Sequence, residues 1–223
     1  MPSSEHVARL LMGYRADKIT YNQVIGYSRN VNDRLWTAKT DIEREQQNAA
    51  MGVFECVASE ISIMAPISIP CLLRTSDYSN AADGLDFNRW PLKSSGMDAD
   101  TKLFVVLGQA VIHQQVGNSA VMIEQLRRLV ALSELPSVDI RIIPFTSGWY
   151  AGMEGAFELV ESNRFEAVLM ETRTSLSWTH DRDAVDMARE DFDNAKAIAF
   201  NAATSRKIIT GAVAHLERQQ CKG

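Results

Sequence analysis

Eight residues carry the chemistry that this sequence offers. Glu171 closes the apolar run EAVLME, which sets a carboxylate at a strand end. Facing Trp149, Tyr150 or Trp178, that carboxylate would have a raised pKa and serve as general acid or ligand anchor. Bonding backbone or arginine at a sheet edge, it would be structural, and both readings stay open at this point. His113, in QAVIHQQ, is of the type that trades protons near neutral pH. A surface or half-buried polar role is its plainer reading. The segment PFTSGWYAGMEG (144–155) sets Trp149, Tyr150 and Met153 among glycines. Such a loop supplies apolar walls and close backbone approach to a pocket, or else simply covers the core. Arg74 and Tyr78, on a predicted short helix, are suited to a carboxylate or phosphate, or to locking that helix to its neighbour. The catalytic expectation is therefore Glu171 and His113. The ligand-binding expectation is Arg74, Tyr78, Trp149, Tyr150, Met153 and Trp178.

Other chemistries lack their residues. His6, His180 and His215 show no metal-ligand spacing. Cys56, Cys71 and Cys221 make no CxxC or CxH pattern, so neither a metal nor another cofactor is expected. No serine sits in a nucleophile elbow and no P-loop occurs. The glycines at 148, 152 and 155 are not a dinucleotide signature, because a strand and not a helix is expected after them. The chain of 223 residues is 46% hydrophobic and carries a net charge of -5. Its basic excess is confined to Arg206, Lys207, Arg218 and Lys222, while 181–193 is strongly acidic, which argues against a nucleic-acid partner. No apolar run approaches the roughly 20 residues of a membrane span, and MPSSEHVARL is no secretory signal. With an odd, sparse cysteine count, these features predict a cytoplasmic protein without a membrane partner.

The elements that must position those residues follow from periodicity. EHVARLLMGY (5–14) spaces Val7, Leu10, Leu11 and Tyr14 as a helix does, and 21–36 does so more weakly. From Thr40, with Glu43 as its capping-box partner, a long helix is predicted to Ile61, with Met51, Phe54 and Val57 on one face. ISIMAPISIP reads as a short strand, then Thr75 or Ser76 caps a short helix ending near Gly84. Residues 86–101 are punctuated by proline and glycine and read as a long loop. LFVVL (103–107) is a buried strand, Ser119 caps a helix through Leu132, and VDIRIIPF is a strand that Pro144 ends. AFELVE and EAVLME form a hairpin across SNRF, SLSW adds a short strand, and helices at 181–200 and 204–219 close the chain. This order predicts an α+β fold, a mixed sheet with helices on its faces.

Several of these stretches resemble one family. IPCLLRTSDYSNA (69–81), VGNSAVMIEQLRRLVAL (116–132), SVDIRIIPFTSGWYAGMEGAFELVE (137–161) and EAVLMETRTSLSW (166–178) are similar to the C-terminal effector domain of actinobacterial XRE-type helix-turn-helix regulators, the antitoxin-like group that includes WhiJ-like proteins. The likeness spans roughly residues 45–215. It implies an acidic residue at Glu171 and a domain that receives a signal for a DNA-binding module. That module is reduced here to PSSEHVARLLMGY and a helix ending at Trp36. The chain departs from the family at Cys71, where a glycine is usual, and at Gly108 and VIHQQ, where an acidic residue and a Leu-Arg are usual.

The resulting expectation is a helical remnant over 1–45 and an effector or ligand-binding domain over 46–223. Its function would be regulatory, binding a small molecule or a small partner protein, without DNA binding of its own. An enzyme of specialised metabolism recruited from the same scaffold is the alternative, favoured by VIHQQ, the aromatic loop and the missing module. The apolar stripes of 5–14 and 21–38 predict a homodimer. The aromatic loop, Glu171 with Trp178, and the helix bearing Arg74 and Tyr78 are expected to bound one pocket, with His113 joining it if LFVVL is central.

Overall fold

Segments rich in β-branched and aliphatic residues become the middle of a sheet, because only a strand covered on both faces can hide so continuous an apolar run. The computed structural model describes residues 4–18, 20–22, 24–25, 35–37, 40–43, 45–46, 55, 57–83, 101–163, 165–171 and 176–221. Its elements, in chain order, are α1 (Ser4–Gly13), β1 (Leu35–Thr37), β2 (Glu60–Ala65), α2 (Ser76–Asp83), β3 (Lys102–Gly108), the short α3 (Ala110–His113), α4 (Ser119–Leu132), β4 (Val138–Ile143), β5 (Phe157–Glu161), β6 (Glu166–Glu171), β7 (Leu176–Thr179), α5 (Arg182–Ile198) and α6 (Ala202–Gln220). The fold is α+β.

The strands form one sheet of order β1-β7-β6-β5-β2-β3-β4. β2, β3 and β4 are parallel, which requires crossovers, and α4 is the crossover between β3 and β4. β5, β6 and β7 continue from β2 as an antiparallel meander, and the predicted hairpin pairs Phe157 with Met170 and Glu161 with Glu166.

Alternation along each strand divides the core into two layers. Ile61 and Ile63 of β2, Leu103 and Val105 of β3, and Ile140 and Ile142 of β4 face α4 and α6, which contribute Met122, Leu126, Leu129, Ile209 and Val213. Met64, Val106 and Ile143 face the other way, against Phe192 and Ala195 of α5. Leu159 and Val168 meet Val185 and Ala188 on that same side. Fully buried aliphatics such as Leu126 and Leu129 each stabilise the fold by roughly 1.5–3 kcal/mol.

Local chemistry sets the helix ends. Thr75 Oγ1 accepts from the Tyr78 amide at 3.2 Å, as predicted for α2. Thr40 Oγ1 accepts from the Glu43 amide at 3.1 Å, as a cap there requires. The cap of α4 lies one residue earlier than Ser119: Asn118 Oδ1 accepts from the Val121 amide at 3.1 Å. Asn and Ser are comparable caps, so sequence preference alone does not separate adjacent candidates.

The N-terminal third differs more from expectation. The helix predicted from Thr40 does not reach Ile61, which is a core residue of β2. Val57 is exposed, and Met51 and Phe54 lie outside the described residues. The helix expected to end at Trp36 gives way to β1, which pairs antiparallel with β7. The remainder of that helix, 26–34, and the loop predicted at 86–101, except Thr101, lie outside the described residues. Gly108 has a steric cause: a Cβ there would collide with the Pro66 carbonyl, so the close passage of the chain after β2 leaves no room for an acidic side chain.

Candidate functional site

The carboxyl ends of the parallel strands carry the loop 144–155. Pro144 ends β4, and two turns of 3-10 helix follow at Phe145–Ser147 and Ala151–Glu154. The Phe145 amide donates to Gln109 Oε1 at 3.0 Å. His113, exposed at the end of α3, stacks on the Phe145 ring with centroids 6.1 Å apart and lies 3.5 Å from Gln109 Nε2. His113 thus meets the aromatic loop at Phe145. Gly152 lies against Met64 so closely that a Cβ would clash with its side chain. Tyr150 packs on the cluster of Met64, Val106, Ile143 and Phe192, and burial raises its hydroxyl pKa. Trp149 and Met153 are 72% and 52% exposed, so they line the protein's surface and not an enclosed pocket.

Arg74 and Tyr78 come together elsewhere. Arg74 Nε donates to the Ile69 carbonyl at 2.7 Å, and its guanidinium lies 5.6 Å from the Tyr78 ring centre. Tyr78 is buried in the layer under α4, where its hydroxyl accepts from the Ile69 amide at 3.5 Å. Trp178 is buried in that same layer, beside Leu169 in register. Glu171 ends β6 opposite Leu176, and its side chain lies outside the described residues. The expectation of a single pocket is corrected in one respect: Trp178 and Tyr150 occupy core layers on opposite faces of the sheet, because β2 presents Ile63 to one and Met64 to the other.

A recess of another kind lies between α5 and the opposite end of the sheet. It is a cleft of about 420 Å³ whose lining includes Glu60, Ser62, Glu161, Glu166, Arg189 and Lys196. Alternation puts Glu60 and Ser62 of β2 on the face toward α5, and Glu60 stands in register between Lys102 and Glu161. Arg189 reaches across from α5: Nη2 lies 2.7 Å from Glu161 Oε1 and 3.1 Å from Glu166 Oε1, and Nη1 donates to Asp186 at 2.9 Å. The hydrogen bond to Glu161 is the largest cause of a raised Arg189 pKa. Glu60 has its carboxyl pKa raised by burial first and by Glu161 next. Asp193 adds to the rise, while Lys102 and Lys196 oppose it. Lys196 Nζ lies 3.9 Å from the Phe104 ring centre. These side chains can bind a polar or charged ligand. Among the described residues no group of His, Cys, Asp and Glu could hold a metal ion.

None of the cleft residues was among the expected site residues, yet a signal existed. Arg189, Phe192, Asp193 and Lys196 recur at i, i+3, i+4 and i+7, one face of a helix otherwise conspicuous for its acidity.

A mixed sheet layered by helices on both faces, with a charged recess under one of them, defines an α+β domain with room for a small molecule. The chain belongs to the family described as a domain of unknown function, DUF5753, whose model matches residues 49–211. Comparison with curated proteins finds no match. Among solved structures the chain is similar to TrmBL2, described as an archaeal chromatin protein that shows a novel mode of DNA binding. The identity is 9%, the TM-score 0.39, and the match covers 88% of this chain and 60% of that one, so this chain spans less than two thirds of that length. The expectation of a partner set that excludes nucleic acid is not kept beside this neighbour, which is itself described by its mode of DNA binding. A likeness at that TM-score carries no argument for what this chain binds. No helix among the described residues is long and apolar enough to cross a membrane.

Proposed function

We propose that this chain is a small-molecule-sensing regulatory domain, akin to the effector domains of antitoxin-like XRE-type regulators, with its ligand held between α5 and the sheet. The observation that carries the proposal is the cleft of about 420 Å³ lined by charged groups of both signs. That volume lies in the range of small-molecule sites, and oriented charges give such a site its selectivity. A ligand touching both β5 and α5 would bias how the helix sits on the sheet, which is how binding becomes a signal. The odd, sparse cysteine count is in keeping with a cytoplasmic location for this task.

A thermal-shift series tests the proposal, with amino acids, amines, carboxylates, sugars and phosphates as probes. The control is Asn163→Trp, which blocks the cleft from the exposed hairpin turn without touching the core. A saturable stabilisation that the control loses is the expected result. No saturable shift from any class, or one that the control retains, would overturn it.

A further inference from the structure

The lining of the cleft contains charges already satisfied and charges that are not. Arg189 is committed, since its guanidinium is shared among Glu161, Glu166 and Asp186. Glu60 and Lys196 differ. Neither side chain makes a hydrogen bond or salt bridge among the described residues, although each lies within Coulombic range of the other. Lys196 instead rests its ammonium on the faces of Phe104, at 3.9 Å, and Phe192, at 6.0 Å. Glu60 rises from the strand wall and Lys196 descends from the helix wall, with the cleft between them.

Half-buried charges of opposite sign held apart across a recess are costly alone and complementary to a molecule that carries the reverse pair. We infer that the cleft takes a zwitterionic ligand of the amino-acid class, its ammonium toward Glu60 and its carboxylate toward Lys196. The inference rests on the proposal that this cleft is the ligand site. Asp193 reinforces the ammonium end, and the exposed amide of Asn163 supplies a neutral hydrogen-bonding group. A dication would bring like charge against Lys196 and the already shared Arg189. A dianion would face Glu60, Glu161, Glu166 and Asp193 together. A zwitterion avoids both repulsions.

Isothermal titration calorimetry at low salt compares glycine, β-alanine, γ-aminobutyrate and ε-aminocaproate with alkylamines, alkanoates, putrescine and succinate. At least one zwitterion is expected to bind about tenfold or more tightly than its amine-only and acid-only counterparts, because a ligand without one of the two charges forgoes a charge-assisted hydrogen bond. Glu60→Gln and Lys196→Gln should each weaken that zwitterion by about tenfold while circular dichroism shows both variants folded. If putrescine or succinate binds more tightly than every zwitterion, or if the two variants bind the zwitterion like the wild type, the zwitterion inference is overturned and the sensing proposal survives. If none of these probes binds and the wider thermal-shift series is also silent, both are overturned.

Discussion

Gln125 sits in the middle of α4 with no solvent exposure and satisfies two backbone groups at once. Its Oε1 accepts from the Thr75 amide at 2.7 Å and its Nε2 donates to the Leu73 carbonyl at 3.0 Å, which fixes the approach to α2. Gln125→Ala should cost roughly 2–4 kcal/mol in chemical denaturation, from the cavity and the orphaned Thr75 amide together. Arg128, which also donates to Leu73, would hold that carbonyl. Glu60 gives a pH-dependent expectation. Burial and Glu161 raise its pKa in the folded chain, so folding is favoured by proton uptake at this group. Its contribution is fully present below the ordinary carboxylate value of 4.5 and is lost as pH rises through the folded value. Glu60→Gln should therefore melt higher than the wild type at neutral pH, and the advantage should shrink on acidification toward 4.5. An advantage that grows on acidification would contradict the assigned cause. At this scale, residue types were legible in the sequence and directions were not. Trp178 and Tyr150 both read as pocket aromatics, but strand alternation and register send them to opposite sides of the sheet.

Elements with strong periodicity and clear punctuation were legible: β3, the β5–β6 hairpin, α4, α5 and α6 all form where apolar spacing, caps and Pro144 put them. The stretch before β2 was not, because Ile61 continues the helical spacing of Met51, Phe54 and Val57 while belonging to a run of β-branched residues. Sheet pairing decided it, since Ile61 lies between Leu103 and Val160. The placement of α5 depends on a polar clamp as well as on Val185, Ala188, Phe192 and Ala195. Arg189 is the hub of that clamp and is only about one third exposed, at 35%. Arg189→Met keeps the aliphatic stem and deletes the charge, leaving Glu161 and Glu166 next to Glu60 without their cation. The expected loss is about 1–2 kcal/mol at low salt, more than an exposed pair contributes because three carboxylates share one guanidinium. Added salt should narrow the gap between variant and wild type, since screening weakens the repulsion among the carboxylates. Denaturation curves at low and high salt check it, and a gap that widens with salt would contradict the clamp.

Across the whole molecule, the sheet must protect two edges. At one of them, β4 offers backbone groups that no further strand among the described residues pairs, and the junction of the two C-terminal helices closes part of that edge. The Phe200 amide donates to the Ile142 carbonyl at 2.9 Å. Ser205 Oγ accepts from the Ile142 amide at 2.9 Å and donates to the Phe200 carbonyl at 3.2 Å. Ser205 is fully buried, so no water can replace its hydroxyl without rearrangement. One serine thereby joins the parallel half of the sheet to the turn that directs α6 back over the layer under α4. Nothing in the helical spacing of 204–219 marks Ser205 for this task, because its partner lies in a strand 63 residues earlier and the link exists only in three dimensions. Ser205→Ala should cost about 1–3 kcal/mol, the usual penalty for a buried amide left without an acceptor. Native-state hydrogen exchange should quicken at Ile142 before it quickens at Val105 or Ile63, which lie on strands flanked on both sides. A loss under about 0.5 kcal/mol with unchanged exchange at Ile142 would show that packing of Ile209 and Val213 alone holds the edge closed.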